Sequence, residues 1–200
     1  IATGVPTIPA TSSNPFTVTG LTPNTAYDYY VRADCGPSNG SSSWSGPYTF
    51  VTPCAPIGTP YLDDVELHAT TTNLGTSNCW TDFSPGAYDW NIDGIASTPS
   101  NATGPSGANS GTNYFYVEAS GSNQSDTAFL VSPDIDLSAL TTPSIEFYYH
   151  MFGSVMGNLF IDVYNGSWTQ VDSIMGQQQT AQTDPWTKRI VDISSYTGVI

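Results

Sequence analysis

Ile145-Glu146-Phe147-Tyr148-Tyr149-His150-Met151 reads as a single strand. Ile145, Phe147, Tyr149 and Met151 fall on one side of a period-two repeat, and Glu146, Tyr148 and His150 on the other. Aromatic and β-branched side chains at that spacing suit a pleated surface with one face against a core. The same alternation recurs in Tyr27, Tyr29, Val31 and Ala33, and again in Leu159, Ile161 and Val163. Turn residues separate these runs: Gly36-Pro37-Ser38-Asn39-Gly40, Pro85-Gly86, Gly104-Pro105-Ser106-Gly107 and Asn165-Gly166. Asn165-Gly166, between Tyr164 and Trp168, predicts a hairpin. Helical periodicity is almost absent, so the class is all-β.

The 200 residues are 38% hydrophobic and 12% aromatic, enough for one large core or two small ones. Charged residues make up only 10%, against about 25% in ordinary soluble domains. Ser, Thr, Asn, Gln and Gly supply the polar surface instead, as strands and turns tolerate. Three basic residues (Arg32, Lys188, Arg189) face seventeen acids, giving a net charge of −14. That balance repels nucleic acid and anionic lipid, and no basic stripe exists to release counterions. Neutral glycans, cations and other proteins stay open as partners, and the acidity also suits a soluble exported surface. No apolar run reaches the ~20 residues of a membrane-spanning helix. The opening Ile1-Ala2-Thr3-Gly4-Val5-Pro6 has no leader character, as expected of a mature or internal fragment. Cys35, Cys54 and Cys79 lack zinc-site spacing and read as extracellular disulfide partners with one left over.

Thr52-Pro53-Cys54-Ala55-Pro56 predicts a boundary, since prolines on both sides of a residue stop a strand and stiffen the connection. Upstream, Leu21-Thr22-Pro23-Asn24-Thr25-Ala26-Tyr27-Asp28-Tyr29-Tyr30-Val31-Arg32-Ala33 resembles the E–F corner and strand F of a fibronectin type III domain. The resemblance makes Tyr27 a tyrosine corner, with a buried ring and a hydroxyl tied to nearby backbone. Residues 44–52 are similar to the last strand of that fold, so residues 1–53 read as a partial fibronectin type III-like module.

From Cys54 onward the chain resembles a MAM domain, the jelly-roll-like sandwich of meprins, neuropilins and receptor tyrosine phosphatases. The matching blocks are Tyr61-Leu62-Asp63-Asp64-Val65-Glu66, Cys79-Trp80, Trp90, Gly104-Pro105-Ser106-Gly107 and Tyr114-Phe115-Tyr116-Val117-Glu118-Ala119-Ser120. Ala128-Phe129-Leu130-Val131-Ser132-Pro133, residues 145–153, Met156-Gly157-Asn158-Leu159, Trp186 and Val191-Asp192-Ile193-Ser194 follow in order. The resemblance implies a β-sandwich over 54–200 that lacks its closing strand, in a chain cut at both ends and taken from an exported multi-module bacterial protein. It implies a Cys54–Cys79 disulfide with Cys35 unpaired. The other pairing, Cys35–Cys54, would leave Cys79 alone. Asp64 and Glu66, two apart on an expected strand, share a face, and hard oxygen ligands beside a Gly107-Ala108-Asn109 loop suit a structural calcium ion. Related MAM domains carry such a cation, which makes Asp64, Glu66 and Asn109 the candidate ligands.

Catalytic patterns are missing. There is no Gly-x-Ser-x-Gly elbow and no His-Glu-x-x-His helix. His150 sits in a strand, and His68 has no nucleophile pattern nearby. Pairs such as Asp63/Asp64 or Asp134/Asp136 arise by chance among seventeen acids, so the chain is not expected to be an enzyme. Trp44, Trp80, Trp90 and Trp186 fall at packing positions. Trp168 and Gln178, the latter in the 177–180 loop, are left as candidate glycan contacts. Thr127 and Ser173 lie in Asp-Ser/Thr-apolar sequences of the O-glycosylation type, and Asn39, Asn101, Asn123 and Asn165 head sequons. The expected function is a non-catalytic adhesion or interaction module of a larger secreted or cell-surface bacterial protein. A carbohydrate-binding accessory module of a polysaccharide-degrading enzyme, or a structural spacer or filament subunit, are the alternatives. The expected partner is a protein (a second copy of the chain included) or a neutral glycan, without nucleic acid or membrane insertion.

Overall fold

The computed structural model describes residues 8, 11–13, 15–71, 73–86, 88–94, 100–118 and 126–200. The Asn123 sequon and the 119–120 end of one matching block lie outside these residues. The described residues contain strands and turns and no helix, and contacts divide the chain into Ile1–Ala55 and Pro56–Ile200.

The first unit contains one antiparallel pair, β1 (Ala26–Val31) and β2 (Ser45–Val51), with Tyr27 opposite Phe50 and Tyr29 opposite Tyr48. Their rings form a ladder, with centroids 5.9 Å apart for Tyr27 and Phe50 and 5.3 Å for Tyr29 and Tyr48. The Thr22 amide donates to the Tyr27 hydroxyl at 2.9 Å. The ring is half-buried rather than buried, and no described side chain of this unit is buried. Among the described residues of this unit no third strand joins the ribbon.

The second unit is a β-sandwich. Its short strands are β3 (Ile57–Gly58), β4 (Thr76–Ser77), β5 (Trp80–Asp82), β6 (Trp90–Asp93), β7 (Tyr114–Val117), β8 (Leu130–Val131) and β9 (Ile135–Asp136). The longer ones are β10 (Ser144–Tyr149), β11 (Asn158–Tyr164), β12 (Trp168–Met175) and β13 (Thr187–Asp192). β3 pairs parallel with β9, β4-β5-β8 form a three-stranded antiparallel sheet, and β6 with β7, β10 with β13 and β11 with β12 are antiparallel pairs.

Period-two alternation explains the core. Val163 of β11 and Val191 of β13 are buried together with Leu137 and Ile193, and Ile145 and Phe147 of β10 and Val171 of β12 pack on them. Two strand pairs thus meet through their apolar faces. The residues opposite those faces, Glu146, Tyr148, Phe160 and Tyr164, are exposed. Gln179 joins the layers from a loop. It is buried, its Oε1 accepts the Met151 amide at 2.6 Å, and its Nε2 donates to Thr187 Oγ1 at 3.1 Å.

Acids outnumber cations so heavily that most described carboxylates are satisfied by backbone amides and hydroxyls. Asp184 Oδ2 accepts from Thr180 N (2.7 Å), Thr180 Oγ1 (2.9 Å) and Ala181 N (2.9 Å). Asp82 accepts from Ser84 N and Trp90 N at 2.8 and 2.7 Å. The cations are all engaged: Arg189 with Asp172, Lys188 with Glu146 at 2.7 Å, and Arg32 stacked 4.7 Å above the Trp44 ring centre.

Candidate functional site

The expected strand over Asp64 and Glu66 is not formed, because the backbone turns at Val65 (φ 68°) and the His68 amide donates to Val65 O at 3.1 Å. Side-chain carboxylates drive the turn: Asp63 Oδ1 accepts the Val65 amide at 2.8 Å and Asp64 Oδ1 the Glu66 amide at 3.2 Å. Glu66 is directed to the 111–113 loop. Its Oε1 accepts Thr112 N (2.7 Å) and Asn113 N (2.8 Å), and its Oε2 accepts Thr112 Oγ1 (2.8 Å). These donors hold its carboxyl below the usual range. Gly111 (φ 64°) allows the approach, since a Cβ there would overlap the Glu66 carboxylate. The face that Asp64 and Glu66 were expected to share is lost with the strand, and Glu66 takes its donors from the 111–113 loop.

Asp63, unassigned by sequence reasoning, is the centre of this loop. Its Oδ2 accepts Trp80 Nε1 (2.8 Å), Tyr61 OH (2.9 Å) and His68 Nε2 (3.1 Å). Burial raises the Asp63 carboxyl, but hydrogen bonds from His68, the Val65 amide and Tyr61 outweigh that and leave it low. His68 is buried edge-on against Phe115 at 5.2 Å, and its Nδ1 lies 3.0 Å from Ser77 Oγ. An acid, an imidazole and a hydroxyl thus line up where the sequence showed no nucleophile. The carboxylate is shared with Trp80 and Tyr61, and the His68 side chain has no solvent exposure, so the line works as a packed knot that fixes the β4–β5 hairpin.

Cys54 and Cys79 are disulfide-bonded and Cys35 is free, which leaves Cys54 and Cys79 as each other's partners. Thr127 is exposed outside any strand, while Ser173 is half-buried within β12.

Trp168 and Gln178 are not brought together. Trp168 opposes Tyr164 at one end of the β11–β12 ladder, and Met175, next to the Gln178 loop, opposes Asn158 at the other. Six strand steps separate the ends by ~20 Å. The Gln178 side-chain amide is turned back on Met175 O at 2.9 Å. The true neighbours of Trp168 are on β11, and a β-bulge decides them. The register slips between Ile161–Asp172 and Asp162–Gln170, leaving Val171 as the extra residue. Val171 packs inward, and parity is restored, so that Trp168, Gln170, Ser173 and Met175 share the outer face with Tyr164, Asp162, Phe160 and Asn158. Trp168 (58% exposed), Tyr164 (50%) and Phe160 (48%) stand open there, with the Trp168 and Tyr164 rings 5.1 Å apart. Tyr164 was legible as the residue before the Asn165-Gly166 turn. Phe160 shares the Tyr164 face by the same alternation that turns Leu159, Ile161 and Val163 the other way, and only the register sets it beside Ser173.

The sequence matches the MAM domain family (MAM domain, meprin/A5/mu) over residues 72–199. The match begins after the 61–66 block and Cys54. No solved structure matches the chain. The matched segment holds β4 to β13 and the core that packs them, and on that basis the chain belongs to the MAM domain family, a class of non-catalytic extracellular interaction module.

Proposed function

We propose that the chain is an adhesion or interaction module of a larger secreted or cell-surface bacterial protein. The family match over residues 72–199 carries this reading. The disulfide supports export, because such bonds persist in oxidising compartments. A fibronectin type III-like reading of residues 1–53 is supported by the β1–β2 ladder and by the Thr22–Tyr27 tie. Thr127, exposed and outside the ladders, is the better placed of the two O-glycosylation candidates. A carbohydrate-binding reading is favoured by the aromatic outer face of β11 and β12.

The test is adhesion of chain-coated beads. Beads are expected to aggregate with one another or to adhere to surfaces coated with bacterial envelope polysaccharide or envelope protein, whereas beads coated with heat-unfolded chain do neither. Beads that stay dispersed and adhere to none of these surfaces would sink the reading.

A further inference from the structure

We infer that the outer face of the β11–β12 hairpin is a binding platform for a neutral oligosaccharide. The inference rests on the interaction-module reading and names the chemistry of its partner. Three aromatic side chains, Trp168, Tyr164 and Phe160, are about half exposed on one face of the β11–β12 ladder. Exposed aromatic surface in contiguous rows marks interaction sites. Tyr164 and Phe160 are four residues apart on one strand, ~13 Å, the reach of a short oligosaccharide rather than of one sugar ring. Between them lies the Asp162–Gln170 pair. Neither side chain is hydrogen-bonded among the described residues. Flat apolar rings interrupted by an unpaired carboxylate and an unpaired amide match a pyranose chain, whose C–H faces stack on rings while its hydroxyls donate and accept at the rim.

Charge selects against the other occupants. Lys188 and Arg189 are held in ion pairs and Arg32 on Trp44, so no free cation is available for an anionic glycan. A second copy docking through the same face would set Asp162 near Asp162 on chains that each carry −14. The ladder is fixed by backbone pairing from Asn158 to Tyr164, so the platform is formed before the ligand arrives and little ordering entropy is lost on binding.

The test uses the whole 200-residue chain, titrated by calorimetry with cellohexaose, xylohexaose, mannohexaose and galactohexaose, and with hexagalacturonate as the anionic probe. At least one neutral hexasaccharide is expected to bind. Trp168→Ala and Tyr164→Ala each weaken it by about tenfold or more, as removal of a central aromatic contact does. Phe160→Ala weakens the hexasaccharide more than the corresponding disaccharide, because only the longer ligand spans both ends. Ile190→Ala, exposed on β13, leaves binding unchanged, and thermal melts confirm that each variant is folded. No neutral probe bound at millimolar concentration, equal binding by hexagalacturonate, or affinity unchanged in Trp168→Ala overturns the proposal. So does sedimentation showing a dimer that Trp168→Ala dissociates, or binding of a cationic peptide in place of every sugar. Bead adhesion that persists in Trp168→Ala while all sugars fail leaves the interaction-module reading standing and removes this one alone.

Discussion

Asp63→Asn tests the carboxylate knot with almost no change of shape. The best placement of the new amide puts its oxygen where Oδ2 was, still accepting from Tyr61, Trp80 and His68, and turns its NH2 toward the Val65 amide that Oδ1 accepted at 2.8 Å. One backbone donor then faces another donor, at about 1–3 kcal/mol. The three remaining bonds lose their ionic character, and charge-assisted bonds are about twice as strong as neutral ones. Allowing for partial relaxation, the loss is ~3 kcal/mol, within the usual range for breaking a buried network. At about 2–4 °C per kcal/mol for a chain of this size, the melting point falls by ~6–12 °C. Urea unfolding followed by tryptophan fluorescence is the assay, and the midpoint should drop with the slope unchanged. Because an ionised Asp63 can only accept, His68 Nε2 must donate to it, so the one ring links Asp63 to the Ser77 hydroxyl 3.0 Å from Nδ1. Asp63→Asn and Ser77→Ala are therefore expected to be non-additive in a double-mutant cycle by ~0.5 kcal/mol or more. A loss below ~1 kcal/mol, or strict additivity, would refute the knot.

Three further outcomes are expected. Stability should be highest between about pH 6.5 and 10 and fall on both sides. On the acid side the unfolded His150 ring takes a proton from about pH 6.5, its ordinary value, while burial keeps the folded ring from doing so. Below about pH 4 the depressed carboxyls of Asp63, Glu66, Asp172 and Asp184 are protonated in turn, so unfolding steepens there. On the alkaline side the Tyr114 and Tyr116 hydroxyls, raised by burial, stay protonated in the fold while unfolded tyrosine ionises above its ordinary 10.0. A flat profile from pH 4 to 9 would contradict the His150 part. Calcium and magnesium should raise the melting temperature equally at equal ionic strength, by screening, because Glu66 has its donors from the 111–113 loop. A calcium-selective shift lost in Asp64→Asn would instead establish the cation site. Reduction of the Cys54–Cys79 bond, which closes a loop of about 26 residues, should cost ~3 kcal/mol on chain-entropy grounds. Identical melts with and without reductant would deny it that role.

Much of the fold was written in short-range pattern. The alternation in residues 145–149 and 159–163 predicts β10 and β11, and it correctly assigns Ile145, Phe147 and Val163 to the core. Asn165-Gly166 marks the β11–β12 turn. The same pattern misleads at Tyr29 and Val31, which alternate like core residues yet remain about half exposed. Alternation says which residues share a face and says nothing of whether another layer covers it. The strand expected over Asp64 and Glu66 failed for a different reason. Two acids spaced by one residue look like a strand edge until carboxylates capture the local amides, and Asp63 and Asp64 both do so.

By itself, then, the sequence determined the class, the strand periods, the family and the charge. A chain with three cations and seventeen acids carries a net charge of −14 whatever its shape, and that charge repels polyanions. Only the tertiary structure decided which acids are bound internally, which hydroxyl meets His68, and which aromatics stand together. Each of those depends on contacts between residues far apart in the chain: Glu66 with Thr112, Asp63 with Trp80, Phe160 with Ser173. The last also depends on a single bulged residue, Val171. Strand parity is a running count, so one extra residue reassigns every side chain beyond it to the opposite face. No local feature of residues 168–175 reveals where that residue falls, because its position is fixed by the register of β11 against β12.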